Sequence, residues 1–369
     1  MEMIKKYFVS SLVFTVIALA LSAVVGHFYG GGSVIVSFLI TAALLAVLEI
    51  AVSLDNAVVN AGVLKDMDEK WQRRFLTWGM LVAVFGMRLV FPIAIVSIAG
   101  GIPAILNWGA IASGADMSEW FKGSALYIGL FEPTAYKALL TSVNTQVMAF
   151  GGTFLLMVFA SHFIDHEKEV HWIPVLGPVL SKIGKHSTAR IFIPLIIVAI
   201  FAQFVGAEKE VFIMSAVWGT VTYLMVDGLG DLFDVEDAAA TAGKTGFAGF
   251  MYLEVVDASF SFDGVIAAFA ITDNFLIIML GLSIGAMFVR SMTIMLVEKG
   301  TLSEFRYLED GAFWGIGWLV FAMFAHVLHY ELGEATVAGG AAAAIALAVW
   351  HSVIVNKREA KAELSQLKE

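Results

Sequence analysis

The chain has 369 residues, 59% hydrophobic and only 15% charged, with a formal net charge of −10. Soluble domains carry about 25% charged residues, so this balance excludes an ordinary soluble protein. An acidic balance with no basic stripe excludes a nucleic-acid partner, and the absence of cysteine excludes disulfides, iron–sulfur clusters and thiolate metal ligation.

Apolar runs of about 20 residues recur along the whole length, without the polar–apolar alternation of barrel strands. The expected fold is all-α, a polytopic membrane protein with about ten transmembrane helices. In chain order the spans fall at 7–27, 33–62, 75–99, 148–164, 191–206, 211–227, 246–272, 275–297, 312–330 and 335–355. The first follows a basic lead and is long for a signal peptide, so it reads as an uncleaved span. Residues 100–147 form a long loop, whose stretch "MSEWFKGSALYIGLFEPTAYKALL" is either an amphipathic surface piece or a solvated loop. The short fifth and sixth spans sit in an insertion over 165–245, and 356–369 is a polar tail. Nearly all Lys and Arg fall on one side of this topology. Only Lys122, Lys137 and Lys209 fall on the other, which places both termini in the cytoplasm.

The second span contains "LEIAVSLDNAVVNAGVL", from Leu48, with one glutamate, one aspartate and two asparagines in lipid-grade sequence. Each ionisable group at the bilayer centre costs a few kcal/mol, so such groups mark function. The stretch "VSLDNAV" from Val52 returns as "FSFDGVI" from Phe260, with Ser53 and Asp55 set against Ser261 and Asp263. Glu49 lies six residues before Asp55, as Asp257 lies six before Asp263. The next span in each half carries a mid-membrane arginine, Arg88 or Arg290. The two copies enter the membrane from opposite sides. This is the pattern of an inverted pair of three-helix repeats, 33–164 and 246–330, with its site at the midplane.

At about 100° per residue, Glu49, Ser53, Asn56 and Asn60 share a helix face, while Asp55 sits about 120° away from Glu49. Glu254, Asp257 and Ser261 share a face that Asp263 does not. Asp-Asn and Asp-Gly leave helical dihedrals readily, so both helices are expected to break there.

Five acids, Glu49, Asp55, Glu254, Asp257 and Asp263, face two arginines. The excess is relieved by protons, by a bound cation, or by each in turn, which would couple a divalent ion to protons. Carboxylate, amide and carbonyl oxygens suit Mn²⁺, Mg²⁺ or Ca²⁺. The alternatives are a purely structural set of Asp–Arg pairs, an exporter of an organic or oxyanion solute using Arg88 and Arg290, and a non-transporting membrane scaffold.

Other polar clusters carry less. "SHFIDHEKEVHW" puts His162, Asp165, His166 and Glu169 on one helical face, a metal site or, by default, a solvated helix end. "MVDGLGDLFDVED" reads as an acidic loop containing Asp227, Asp231, Asp234, Glu236 and Asp237. Its Gly-Leu-Gly-Asp lacks the second aspartate and Pro-Ala-Leu of intramembrane proteases, so no enzyme is expected. His326 and His329 face one side together, and the glycines of "AGGAAAAIALA" suggest close helix packing.

The stretches "LEIAVSLDNAVV", "GMLVAVFGMRLVF", "YLEVVDASFSFDGVIAAFAIT" and "FRYLEDG" resemble the TerC family of integral membrane proteins, named for tellurium resistance. The likeness covers about half the chain and is closest to an uncharacterised bacterial branch. It implies kinship with LysE-type exporters and a link to manganese efflux. By that resemblance Glu49, Ser53, Asp55 and Asn56 match the first motif. Glu254, Asp257 and Asp263 match the second, and Arg88 and Arg290 its arginines. The chain departs where the family reads Asp-Ser-Ile-Pro-Ala, having Asp263-Gly264-Val265-Ile266-Ala267 instead.

The expectation is an inner-membrane exporter of a divalent cation, Mn²⁺ first, exchanging it for protons in a bacterium. The metal ligands are Asp55 and Asp263, with Asn56, Glu49, Asp257 and Glu254 completing the site. Ser53, Asn60, Ser261, Arg88 and Arg290 support it. No cofactor is expected. The partners are the lipid bilayer, the cation and protons, and a homo-oligomer is compatible with the sequence.

Overall fold

A computed structural model describes residues 6–65, 67–79, 81–165, 168, 170–174, 176–184, 188–233, 246–272, 274–300, 304–330 and 332–366. The described residues form helices joined by turns and short coils. They divide into two compact units, the first spanning Met1–Ser53, Glu69–Val147 and Phe250–Met292 and the second Leu54–Asp68, Met148–Gly249 and Thr293–Glu369.

The first unit opens with a helical hairpin, α1 (Val9–Gly30) and α2 (Gly32–Val52), turning at Gly31 with φ 79°. Ser53 interrupts the chain before α3 (Leu54–Lys65). Next come α4 (Glu69–Arg74) and two π-helical stretches, Phe75–Gly79 and Val82–Val90, then α5 (Phe91–Gly100). The run bends by 42°.

The loop over 100–147 holds three short helices, α6 (Trp108–Ala112), α7 (Ala125–Phe131) and α8 (Pro133–Ser142). Asn107 and Ser124 cap the first two by accepting from Ala110 and Tyr127 backbone N–H groups. Pro133 starts the third where its missing N–H costs nothing. Tyr136 is fully buried against Phe275 at 5.1 Å between rings, so α8 turns one face into the unit.

Helices α13 (Gly246–Ile271) and α14 (Phe275–Lys299) complete this unit with their residues up to Met292. Ala18, Ala46, Leu280 and Ile284 form a core where α1, α2 and α14 meet. Ser11 Oγ donates to the Met287 carbonyl at 2.8 Å and shares a hydrogen bond with Ser291. Lipid tails are as apolar as leucine, so small residues and buried hydroxyls, rather than water exclusion, hold such helices together.

The second unit contains α3, most of α9 (Asn144–Phe163), α10 (Leu176–Ile183), α11 (Ala189–Phe201) and α12 (Lys209–Phe233). It ends with α15 (Leu308–Val327) and α16 (Glu334–Gln366). A Cβ at Gly311 on α15 would lie 2.5 Å from Ala348 Cβ and 3.1 Å from the Ala344 carbonyl. Trp318 Nε1 donates to the Val337 carbonyl at 3.0 Å. The close packing expected of "AGGAAAAIALA" thus falls on Ala344, Ala348 and Gly340, which abuts Trp318, while Gly339 faces open space.

Seven described helices are long and apolar enough to cross a membrane, eight if the bent pair is one span. This is a multi-pass membrane protein. The expected count of ten differs for two reasons. At 13 residues α11 reaches about 20 Å, short of a hydrocarbon core of about 30 Å. Helix α13 has 26 residues, long enough, but carries Glu254, Asp257 and Asp263.

The expected break in the second motif is also corrected. Helix α13 runs unbroken through Asp263-Gly264, whereas α2 stops at Ser53, whose φ of −97° and ψ of 19° leave the helix. Without proline, Gly264 keeps its N–H and does not end a helix. Helix α12 extends to Phe233, so Asp227 and Asp231 are helical rather than in an acidic loop. Asp234, Glu236 and Asp237 lie outside the described residues. His329 follows the end of α15 with φ 62°, so it does not share a helical face with His326.

Candidate functional site

Glu49 occupies the last turn of α2 and is 4% exposed. Its Oε1 accepts from the Ser53 hydroxyl at 3.0 Å and from Arg88 Nη2. Arg88 lies on the π-helical stretch Val82–Val90. A π-turn shifts side-chain directions and is frequent at functional sites. Here Ser283 Oγ on α14 donates to the Val84 carbonyl within that stretch, at 3.2 Å.

Behind Glu49 runs α14, with glycines at 281 and 285. A Cβ at Gly285 would lie 2.5 Å from Glu49 Cγ and 2.9 Å from the Ala46 carbonyl. One at Gly281 would lie 2.6 Å from Leu45 Cβ. This Gly-x-x-x-Gly ridge lets α2 approach α14 closely enough to seat the glutamate.

A second acid–arginine pair sits in the same unit. Glu254 on α13 and Arg290 on α14 are 6% and 5% exposed. Their closest N–O approach is 3.8 Å, an ion pair beyond hydrogen-bond length. Neither oxygen of Glu254 accepts a hydrogen bond from a described residue, and Arg290 Nε and Nη2 donate none. The Arg290 guanidinium instead lies over the Phe75 ring, 3.8 Å from its centroid. Gly79 makes room for both groups, since a Cβ there would lie 2.5 Å from Arg290 Nη2 and 2.7 Å from Glu254 Oε1. Asp257, one turn on from Glu254, is 7% exposed and within Coulombic range of Glu254 and Arg290. Arg88 is also within range of Arg290.

The first unit therefore brings together Glu49, Ser53, Arg88, Glu254, Asp257 and Arg290. Asn56 and Asn60 belong to the second unit, buried on α3. The side chains of Asp55, Ser261 and Asp263 lie outside the described residues. The sequence spacing matched Glu49 with Asp257. In the fold the second arginine faces both acids of its half, with Glu254 3.8 Å away and Asp257 within Coulombic range. Phe75, Gly79, Gly281 and Gly285 went unnoticed in the sequence. Gly-x-x-x-Gly at 281–285 was the one available signal.

A separate polar cluster lies in the second unit. Asp310 on α15 accepts from Lys168 Nζ, pairs with His162 Nε2 at 2.9 Å and accepts from the Trp172 backbone N–H at 2.8 Å. Glu309 pairs with Lys65 at 3.1 Å, and the His162 ring stacks on Phe313 at 3.5 Å. The solvated helix end expected here is thus a mostly buried network, with His162 11% exposed. Helix α9 ends at Phe163, so Asp165 cannot continue the face of His162. His166 and Glu169 lie outside the described residues. Among the described residues no three His, Asp or Glu side chains form a group fit for a metal. Asp310→Ala strands Lys168 with His162 and releases the Trp172 amide, which should destabilise the protein by about 3–5 kcal/mol. Thermal unfolding of purified protein in detergent reads this directly, and an unchanged midpoint would show the network to be ornamental.

The helices and the buried acid–arginine cluster define the class: a multi-pass helical membrane protein with a charged interior. A family model described as Protein of unknown function (DUF475) matches residues 54–359, well over half of the chain, and the chain belongs to that family. No curated protein and no solved structure matches it.

Proposed function

We propose that the protein exports a divalent cation, Mn²⁺ first, in exchange for protons. The observation that carries this reading is the surplus of buried acid in the first unit. Glu49, Glu254 and Asp257 face Arg88 and Arg290, and the Glu254 oxygens accept no hydrogen bond from a described residue. A carboxylate so buried must gain a proton or a cation. The ion arrives as protons leave, and departs as they return.

Asp55 and Asp263 are the first-choice ligands on the strength of their motifs, with Asn56, Glu49, Asp257 and Glu254 completing or supporting the site. The inverted-repeat reading rests on the sequence match of Ser53 and Asp55 with Ser261 and Asp263, and on an arginine in the span after each. Outward direction rests on the resemblance to the TerC and LysE exporters, and a cytoplasmic location of both termini rests on the Lys and Arg distribution.

A second reading, export of an oxyanion or small organic solute, is favoured by the two Arg290 nitrogens, Nε and Nη2, that donate no hydrogen bond to a described residue. It has only that arginine to draw on, because Arg88 is held by Glu49. Purified protein in liposomes separates the readings. Mn²⁺ flux with counter-movement of protons is the expected result. Oxyanion flux without Mn²⁺ flux would overturn the proposal, and no flux of any solute would leave the scaffold reading standing.

A further inference from the structure

The two acid–arginine pairs are built differently, and the difference assigns them different work. Glu49 is held by Arg88 and by the Ser53 hydroxyl. Gly285 lies directly against its side chain, with no space there for a Cβ. Glu254 has no such hold. Its arginine stands 3.8 Å off, without a hydrogen bond, and rests on an aromatic face at a similar distance.

We propose that Arg290 is a movable counter-ion with two seats that it shares in this structure, Glu254 and the Phe75 ring, and that arrival of the exported cation releases it from the first and leaves it on the second alone. The inference rests on the cation-export reading and names the residues that set affinity within it.

The physical case has three parts. A guanidinium in a water-poor interior needs a partner at all times, and the face of an aromatic ring supplies one without a formal charge. A cation on Glu254 would repel Arg290, and the ring lets the arginine remain buried while the acid is occupied. Gly79 leaves the space in which Arg290 and Glu254 meet, because any side chain there would strike both. The other charges in range, Asp257 and Arg88, act in opposite senses. Arg88 repels Arg290 from the centre of the cluster, and Asp257 holds it within reach. Glu49–Arg88 is then the fixed half of the site and Glu254–Arg290 the responsive half.

The test is Mn²⁺ binding to purified full-length protein by titration calorimetry, and two variants should move affinity in opposite directions. Arg290→Gln removes the competitor for Glu254 and should tighten Mn²⁺ binding about tenfold. Phe75→Leu keeps every charge but removes the second seat. The guanidinium then closes onto Glu254, and binding should weaken about tenfold, the scale of one desolvated cation–π contact. Should Arg290→Gln fail to fold, Phe75→Leu decides alone, since both partners of the ion pair remain. Unchanged affinity in the folded variants, or a shift of the opposite sign in either, overturns the counter-ion. Wild-type protein that binds no Mn²⁺ overturns the export reading itself, a result distinct from a wild type that binds while the variants match it.

Discussion

Glu254→Gln should weaken Mn²⁺ binding to the purified protein about 100-fold, a loss of about 2.7 kcal/mol. The substitution keeps the shape of the side chain and removes its charge, so packing around Gly79 and Phe75 is preserved. What is lost is attraction between a divalent ion and a carboxylate in a site with little water to screen it, where a single unit charge at contact is worth several kcal/mol. Folding should suffer less than in Glu49→Gln, because Arg290 keeps the Phe75 face and the nearby Asp257 when Glu254 is neutralised.

Glu49→Gln provides the contrast. It breaks the charge pair with Arg88 and leaves a buried guanidinium against a neutral amide, so its main effect should be a lower melting temperature. Asp55→Asn should act like Glu254→Gln, on the evidence of its motif. Mn²⁺ affinity retained in both Glu254→Gln and Asp55→Asn would remove the acid surplus from the mechanism and return the buried pairs to a structural role.

The second large effect concerns a residue with no chemistry of its own. Gly285→Leu should prevent recovery of folded, monodisperse protein. Even Gly285→Ala places a methyl group 2.5 Å from Glu49 Cγ and 2.9 Å from a backbone carbonyl. The carbonyl belongs to α2 and cannot swing aside, so the two helices must part. Overpacking of this kind costs about 1–3 kcal/mol for a small side chain. Separating the helices also pulls Glu49 away from Arg88, and a broken buried pair adds about 3–5 kcal/mol. Alanine should therefore lower the melting temperature of detergent-purified protein by several degrees, and leucine should exceed the stability margin of about 5–15 kcal/mol typical of a domain. Gly339→Ala, at a glycine with nothing within 4 Å, is the matched control and should leave the midpoint unchanged. Equal behaviour of the two positions would mean that the close approach of α2 and α14 does not matter to the fold.

Much of this protein follows from local chemistry. Residues such as those of α1 and α14 admit only a membrane helix, since lipid offers the backbone no partner outside its own helix. The acids and arginines that gather in the first unit were readable for a related reason: each is too costly in lipid to persist without a role. The sequence put a break at Asp55-Asn56, yet those two residues are helical in α3 and the interruption falls at Ser53 before them. The continuity of α13 was not legible either, because glycine permits a break without requiring one, and neighbours decide.

What the tertiary structure alone decided is which charges pair, and how tightly. Counting residues matched Glu49 with Asp257, yet Arg290 faces Glu254 as well as Asp257, since pairing depends on helix rotation and on how α13 and α14 pack. It also decided that His162, Lys168 and Asp310, distant in sequence, share one buried network, and that Gly79 is the space between an acid and its arginine. A glycine shows its purpose only when the atoms it admits are in place.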